Sequence, residues 1–246
     1  MDLVDALAAD TGLVCVVGAG GKKTTLYALA RRLDRAVVTA TVRIPHFDDR
    51  VETVFVTDDP LSDLRRVDRW PVGAVRAREP DRYVGYDPAT VTAVAADGST
   101  GPVLVKADGA RTRWLKAPAE HEPRVPAVAD TVIPIASAKV VGEPLDDDYV
   151  HRPERVAALT GSSIGDPVTA ADVATVLTHR DGGLKSVPPT ATVVPLLNMV
   201  DDDDLAATAR EVATEILARR PDLPRVVLGR MDRAEVVDVV ESPGDP

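Results

Sequence analysis

An apolar run passes directly into a glycine-rich turn in the segment Leu13-Val14-Cys15-Val16-Val17-Gly18-Ala19-Gly20-Gly21-Lys22-Lys23-Thr24-Thr25-Leu26. Its first five residues are apolar and mostly β-branched, which is typical of a buried strand. The residues after the turn, from Tyr27 to Leu33, have the spacing of an amphipathic helix. A strand, a glycine-rich loop and a helix in this order form the context that a phosphate-binding loop requires.

The composition of this turn suits a polyanionic ligand. Glycines allow backbone N–H groups to point at a phosphate, and the helix N-terminus adds a partial positive charge. We therefore expect the loop to bind a nucleoside triphosphate, ATP or GTP, together with Mg²⁺. The loop residues expected to bind it are Gly18, Gly20, Gly21, Lys22, Lys23, Thr24 and Thr25. The alternative is an ordinary strand-to-helix turn with solvated lysines.

Two alignments of the loop with the pattern G-x-x-x-x-G-K-[ST] are possible. If Lys22 is the phosphate lysine, Gly21 correctly precedes it, but Lys23 stands where a metal-binding hydroxyl is expected. If Lys23 is the phosphate lysine, Thr24 follows it correctly, but Lys22 replaces the glycine. The spacing leaves both alignments open. We favour Lys22 because Gly21 gives the backbone room beside the ligand.

The composition of the whole chain limits its partners. The 246 residues carry a formal net charge of −10, and the acidic residues are spread along the chain. Nucleic acid is not an expected partner, because binding its phosphates requires clustered basic residues. No apolar run is long enough to cross a membrane and no signal sequence is present, so a cytoplasmic location without membrane attachment is expected. Abundant aspartate and scarce lysine suggest adaptation to a salty cytoplasm.

Hydrophobic periodicity predicts alternating strands and helices. Strands are predicted at 13–17, 35–41, 52–56, 102–107, 131–136, 191–197, 225–228 and 234–240, and helices at 2–9, 27–33, 59–67, 87–95, 153–159, 169–177 and 203–219. Residues 72–87 are predicted to be irregular, 110–126 an ordered loop and 242–246 a disordered tail. The alternation predicts an α/β fold with a mostly parallel sheet flanked by helices, a P-loop NTPase-like three-layer sandwich. We expect one domain over residues 1–241, with 110–190 as a lobe over the nucleotide site.

Asp108 is the expected metal ligand. It ends a buried strand, so its carboxylate should emerge at the same edge of the sheet as the phosphate loop. Together with Thr24 it is expected to hold Mg²⁺. Because it lies at the edge of the sheet, its removal is expected to leave the fold intact. The alternative is an aspartate that caps the turn at Gly109.

The segment after Asp108 is rich in positive charge and proline. Arg111, Arg113 and Lys116 lie within eight residues of Asp108, and in so acidic a chain this density indicates an anionic ligand. We predict that they act in catalysis by facing the transferred group or a second substrate. A metal site at Glu120-His121-Glu122 is less favoured than an ion pair between these carboxylates and the arginines.

Two further pairs of residues are candidate ligand contacts. His151 and Arg152 open a helix, where positive charge is unfavourable unless an anion faces it. Asn198 and Asp201 follow a late strand with the spacing of a guanine-reading N-K-x-D element, although Met199 replaces the lysine. For each pair, a simple helix-capping or turn role is the alternative.

In family order, these pieces resemble the YqeC family, described as accessory proteins of selenium-dependent molybdenum hydroxylases. The resemblance spans residues 13–201 and rests on the glycine loop, Ala107-Asp108-Gly109-Ala110-Arg111, Leu115-Lys116-Ala117-Pro118-Ala119-Glu120-His121-Glu122-Pro123, Val150-His151-Arg152-Pro153-Glu154 and Leu197-Asn198-x-x-Asp201. This chain departs from the family pattern at three points. The loop lysine is doubled, the threonine run after the second strand is reduced to Thr39-Ala40-Thr41, and Lys106 stands where an acidic residue is common.

The resemblance implies a P-loop nucleotide-binding protein that acts in maturation of a molybdenum-cofactor enzyme. Such a protein would have that enzyme, or its other maturation factors, as partner, and Thr39 would contact the nucleotide. Two alternatives remain open at this point. One is an ATP-dependent kinase or ligase for a small anionic metabolite, and the other is a non-hydrolysing nucleotide or cofactor carrier.

Overall fold

The computed structural model describes residues 1–242 as strands and helices in close alternation. The strands are β1 Leu13–Gly18, β2 Val37–Ala40, β3 Ile44–Pro45, β4 Thr53–Val56, β5 Val72–Val75, β6 Ala77–Arg78, β7 Arg82–Val84, β8 Val103–Lys106, β9 Leu115–Lys116, β10 Thr131–Ser137, β11 Val150–His151, β12 Thr192–Val193, β13 Leu196–Asn198, β14 Arg225–Arg230 and β15 Glu235–Glu241. The helices are α1 Leu3–Ala6, α2 Lys22–Ala30, α3 Pro60–Leu64, α4 Pro88–Ala96, α5 Pro153–Thr160, α6 Ala170–Thr178 and α7 Asp203–Arg219, and a 3₁₀ turn spans Ala138–Val140.

One large sheet contains ten of these strands. Its order is β15-β14-β13-β10-β1-β8-β2-β5-β4, with β12 paired beside β10. Every pairing is parallel except that of β14 with the edge strand β15. The carboxyl ends of β1, β8, β10 and β13 therefore meet at one edge. Two small sheets, β11-β9 and β3-β7-β6, lie outside it.

Helices cover both faces of the large sheet. Val16 of β1 and Leu104 of β8 pack on one face with Leu26 and Leu29 of α2. The other face packs against α3 and α4 below β8 and β2, and against α6 and α7 below β13 and β14. Side chains of successive strand residues alternate between these two cores, as the pleat requires. The predicted α/β three-layer sandwich and the predicted edge strand near residue 235 are confirmed.

The prediction of irregular structure over residues 72–87 is wrong, because β5, β6 and β7 lie there. Gly73 is part of β5 and is buried. A Cβ atom at this position would lie 2.6 Å from the Phe47 ring, so the glycine permits close contact between strand and aromatic side chain.

Other boundaries also differ from the predictions. Helix α2 begins at Lys22, five residues before the predicted start, so the loop lysines belong to its first turn. The predicted strand 191–197 is divided into β12 and β13, and Pro195 between them lacks a backbone donor. Four of the five residues of the predicted tail, 243–246, lie outside the described residues. The division into a domain and a lobe stays a prediction.

Candidate functional site

The loop between β1 and α2 lies at the carboxyl edge of the sheet and leaves a row of N–H groups without acceptors. The N–H groups of Gly18, Ala19 and Gly20 bond to Asp108 Oδ2, to the Ile135 carbonyl and to the Arg113 carbonyl, each at 2.9 Å. The next four N–H groups, from Gly21 to Thr24, have no hydrogen-bond acceptor within residues 1–242. These are the unsatisfied donors of a helix N-terminus, and they favour an anion.

Two glycines of the loop cannot be replaced without disturbing it. Gly20 and Gly21 have φ values of +81° and +124°, which L side chains rarely adopt. A Cβ atom on Gly20 would lie 2.4 Å from the Ser137 nitrogen, and one on Gly21 would lie 2.1 Å from Asn198 Nδ2. The loop is thus closely packed against the ends of β10 and β13.

Lys22 and Asp108 form a buried ion pair inside the loop. Lys22 Nζ lies 2.8 Å from Asp108 Oδ1, and the two residues are 5% and 2% exposed. The same ammonium donates a hydrogen bond to the Gly18 carbonyl. Although the charges are in contact, Asp108 Oδ1 receives no hydrogen bond in the described residues. The Lys22 ammonium therefore lies within the curve of the loop, held by Asp108 and the Gly18 carbonyl.

The ion pair continues into a chain of charges beneath the loop. Lys116 Nζ lies 3.0 Å from Asp108 Oδ2 and 2.9 Å from Glu122 Oε2, and it donates to the Gly109 carbonyl at 2.5 Å. Arg152 Nη1 binds the same Glu122 oxygen at 2.9 Å. Lys116, predicted to face a second substrate, is therefore buried with its three donors satisfied by the protein. Its observed contacts position Asp108 and Glu122.

The charges of this network keep both carboxylates ionised. Burial alone would raise the pKa of Asp108, but Lys22 and Lys116 hold it below its usual value. Burial likewise opposes ionisation of Glu122, yet Lys116 and Arg152 lower its pKa to about 2. The predicted ion pair of the Glu120–Glu122 segment with Arg111 or Arg113 is wrong in its partner, because Glu122 pairs with Lys116 and Arg152.

Lys106 adds a further buried cation to the same edge. It is the last residue of β8 and is 6% exposed, and Nζ donates to the Arg43 carbonyl at 3.0 Å. Burial, together with the nearby charge of Lys22, lowers the pKa of Lys106 to about 7. Half of the six lysines of the chain, Lys22, Lys106 and Lys116, are therefore buried at this site. The buried carboxylates there are Asp108 and Glu122.

His151 makes the stability of the fold dependent on pH. Burial and the positive charges of Arg152 and Lys116 lower the pKa of His151 to about 4. Between pH 6.5 and 4 the unfolded chain binds a proton that the folded chain rejects, so stability should fall as the pH falls through this window. Glu122 adds a second loss of stability as the pH falls from 4.5, its pKa in the unfolded chain, to about 2.

We expect His151→Gln to reduce the loss of stability between pH 6.5 and pH 4. Thermal melts at pH 7, 5.5 and 4 would show a smaller fall in Tm than in the wild type, and the exposed His121→Gln would serve as the control. An unchanged pH profile for His151→Gln would contradict this assignment.

Three basic side chains on the rim of the site are not paired. Lys23, Arg111 and Arg113 form no ion pair within the described part of the chain, and Arg111 is exposed. Arg111, Thr112 and Arg152 have positive φ values of 47°, 64° and 64°. Backbone strain of this kind concentrates at functional sites. The predicted catalytic roles of Arg111 and Arg113 and the predicted phosphate contact of Lys23 stay predictions.

The threonines predicted to contribute do not behave alike. The Thr24 hydroxyl forms no hydrogen bond within residues 1–242, whereas the Thr25 hydroxyl donates to the Gly21 carbonyl at 3.1 Å. Thr39 does not join the site. Its hydroxyl donates to the Ala74 carbonyl at 2.6 Å, and it alternates with Val38, which packs on the α2 face. The Thr39 side chain therefore projects from the face of the sheet opposite α2, and its predicted nucleotide contact stays a prediction.

Asn198 fastens the loop to the far half of the sheet. Asn198 Nδ2 donates to the Gly20 carbonyl at 2.7 Å, and Oδ1 accepts from the Met231 N–H at 3.0 Å. Asp201 is exposed and pairs with Lys139 at 2.5 Å and with Arg230 at 3.4 Å. Both predicted guanine-reading side chains thus already have protein partners. The observed contacts of Asn198 are those of a residue that holds the loop.

We expect Asn198→Ala to lower stability by about 1–3 kcal/mol, because the Gly20 carbonyl and the Met231 N–H lose a buried partner. Nucleotide affinity should fall for ATP and GTP to the same extent, since the loop and not the base contact is disturbed. Thermal melts and competition between the two nucleotides test this. A loss confined to GTP would support guanine reading instead, and Asp201→Asn provides the comparison within the same motif.

Two clefts lie at the opposite edge of the sheet. One, of about 480 Å³, is lined by residues 187–193 and 220–224, and another, of about 590 Å³, is lined by residues 8–11 and 127–131. Within residues 1–242, no group of three or more His, Cys, Asp or Glu side chains could hold a metal ion. Neither cleft contains a charge network like that around Asp108, so the loop remains the candidate site.

Sequence reasoning left two parts of this arrangement unassigned. The sequence indicates Glu122 only as part of the segment Glu120-His121-Glu122, and Lys106 only as a departure from a family pattern. The sequence does contain a signal for Lys106, because a lysine inside an otherwise apolar strand is expected to be buried with that strand. The pairing of Glu122 with Lys116 and Arg152 depends on tertiary contacts and carries no sequence signal.

Fold and site together define an α/β protein with a glycine-rich strand–loop–helix unit and a buried lysine–aspartate pair at the carboxyl edge of its sheet. The chain belongs to the YqeC family, whose model, described as "YqeC protein", matches residues 14–154. It is similar to the uncharacterized protein YqeC of Escherichia coli (strain K12), with 27% identity over 224 residues, which cover 88% of this chain and 86% of the relative. None of the helices described between residues 1 and 242 is both long and apolar enough to cross a membrane.

Proposed function

We propose that the protein binds a nucleoside triphosphate with Mg²⁺ at the loop between β1 and α2. The observation that carries this proposal is the clustering of three buried lysines with a row of free backbone N–H groups. Lys22, Lys106 and Lys116 are buried beside the carboxylates of Asp108 and Glu122, and the free N–H groups from Gly21 to Thr24 face the same edge. Burying unbalanced charge is costly, and a bound polyanion would remove that cost.

Lys22 is the residue suited to the phosphates in this proposal. Its ammonium is held by Asp108 and the Gly18 carbonyl, which places it inside the curve of the loop. Lys23 follows it in the first turn of α2 and remains unpaired among the described residues. The proposed alignment therefore takes Lys22 as the phosphate lysine and places Lys23, Arg111 and Arg113 at the rim of the site.

The residues present fit Mg²⁺ only in part. Asp108 Oδ1 is buried and ionised and lies 2.8 Å from the Lys22 ammonium. If that ammonium turned to a phosphate, the oxygen would suit a hard cation or one of its waters. The residue after Lys22 is a lysine, so a hydroxyl ligand could come from Thr24, whose Oγ1 is without a partner in the described residues. When bound, the ion would neutralise phosphate charge, while Asp108 orients it and Lys116 holds Asp108 in place.

The family resemblance supports a role as an NTPase accessory factor in the maturation of a molybdenum-cofactor-dependent hydroxylase. Under this proposal, hydrolysis or phosphoryl transfer at the loop would be coupled to the maturation step. Arg111 and Arg113 would then stabilise charge that develops on the transferred group. A kinase or ligase acting on a small anionic metabolite is the second candidate, and buried Lys106 is the observation that favours it.

Calorimetric titration with ATP, GTP and their Mg²⁺ complexes tests the central proposal. One equivalent of nucleotide should bind, and phosphate release should then be measured with and without candidate maturation partners. Binding without any turnover would favour the carrier alternative. No binding of either nucleotide, with or without Mg²⁺, would refute the proposed function.

A further inference from the structure

Lys106 lies where the end of β8 faces helix α2. In the sheet it is opposite Val16 of β1 on one side and Ala40 of β2 on the other. Because it alternates with Val105, its side chain lies on the same face as Leu104, which packs with α2. It therefore stands on the loop-helix side of the sheet, one strand away from the phosphate loop.

The ammonium of Lys106 is poorly compensated for so buried a group. It has three N–H donors, and the Arg43 carbonyl is its one hydrogen-bond acceptor within residues 1–242. It forms no ion pair there, whereas Lys22 and Lys116 each contact a carboxylate. A buried charge without a counter-charge is expensive, and a neutral side chain would avoid that cost.

The Arg43 carbonyl shows on which side of β8 the Lys106 ammonium lies. Arg43 belongs to the chain that leaves β2, so the ammonium is drawn towards β2 and away from Asp108. Lys22, Lys23 and Lys116 are the neighbouring cations, and Asp108, already paired twice, is the neighbouring carboxylate. The electrostatic environment of Lys106 therefore favours an incoming anion.

We propose that Lys106 binds an oxyanion group, a phosphate or a carboxylate, of a small second substrate on the β2 side of the phosphate loop. This inference rests on the proposed function and deepens it, because it gives the acceptor a chemical class and a place. A nucleotide whose phosphates occupy the loop would place its terminal phosphate beside the oxyanion that Lys106 binds. The protein would then act on an anionic small molecule, as a kinase or a ligase does.

The test compares wild type with Lys106→Met, which keeps the length of the side chain and removes its charge. Each protein is saturated with a non-hydrolysable ATP analogue and Mg²⁺, and is then titrated with inorganic phosphate in one arm and acetate in the other. Wild type should bind one equivalent of at least one probe, and Lys106→Met should bind it about tenfold more weakly or worse. Affinity for the ATP analogue should also fall, because Lys106 adds to the positive charge beside the loop, but by a smaller factor than affinity for the probe.

Two controls separate a binding role from a structural one. Arg210→Met removes one positive charge from the exposed pair with Asp238 and should behave as wild type. Lys106→Arg keeps the charge and should retain probe binding. If Lys106→Met fails to fold, Lys106→Gln is used, with melting curves as the check.

The possible outcomes distinguish the two proposals. A wild type that binds the ATP analogue but neither probe overturns the second site and leaves the proposed function standing. Equal losses of analogue and probe in Lys106→Met also overturn it, because Lys106 would then belong to the nucleotide site. If wild type binds no nucleotide, the proposed function fails, and the same probe titrations without nucleotide still decide for or against Lys106.

Discussion

Replacing Lys22 with alanine should weaken nucleotide binding about 10- to 100-fold, whereas Lys23→Ala should have a much smaller effect. The loss follows from removing a charged hydrogen bond to phosphate, which is worth about 1.5–3 kcal/mol. Lys22 is buried within the curve of the loop and touches Asp108 and the Gly18 carbonyl, while Lys23 is half-buried and unpaired among residues 1–242. Calorimetry with each variant measures the difference directly.

The two lysines are adjacent in α2, so each variant controls for the other. Both remove one positive charge from the first turn of the helix, and a general electrostatic effect would therefore weaken binding equally. Melting curves are needed because Lys22→Ala leaves Asp108 with Lys116 as its remaining cation. A large loss in Lys23→Ala alone would shift the alignment by one residue. Negligible losses in both variants would remove the basis for a phosphate loop.

Asp108→Ala should abolish Mg²⁺-dependent turnover and also destabilise the fold. The second expectation corrects the view from the sequence that this carboxylate can be removed without structural cost. Asp108 is 2% exposed and contacts Lys22, Lys116 and the Gly18 N–H. Removing one partner of a buried ion pair typically costs about 3–5 kcal/mol, because the remaining charge is left uncompensated. Phosphate release and thermal unfolding are the measurements.

Asp108→Asn separates the catalytic effect from the structural one. The amide keeps the size of the side chain and can still accept from the Gly18 N–H, so its loss of stability should be smaller than that of Asp108→Ala. It cannot supply an anionic oxygen to a metal ion, and Mg²⁺-dependent turnover should still be lost. Normal turnover in a folded Asp108→Asn variant would show that the chemistry lies elsewhere. Glu122→Gln, which alters the same charge network away from the loop, is the matched control.

The sequence predicts the central architecture well because strong local signals determine it. The apolar runs of β1, β8 and β10 are buried on both faces, and the glycine turn after β1 indicates where the site lies. Asp108 follows from the same logic, since parallel strands end at one edge. These features depend on residue type and order and require no knowledge of distant contacts.

Other features could not be predicted because they depend on contacts between distant segments. In β2 the side chain of Val38, and not that of Thr39, points to the α2 face of the sheet. The strand pairing determines which of the two does so. Asn198 matches a base-reading pattern in spacing, but the turn of the loop brings the Gly20 carbonyl within its reach. The pairing of Glu122 with both Lys116 and Arg152 likewise arises only when β9 and β11 come together.

The Lys22–Asp108 pair has a consequence for how quickly a ligand can be captured. The ammonium must give up at least part of its contact with Asp108 and the Gly18 carbonyl before it can meet a phosphate. Binding should therefore proceed in two steps: a diffusional encounter at the exposed rim, followed by a slower rearrangement of the loop. In stopped-flow experiments the observed rate should reach a plateau as nucleotide concentration rises. The salt concentration should change the rate of the initial encounter far more than it changes the plateau rate, because the buried pair is shielded from solvent ions.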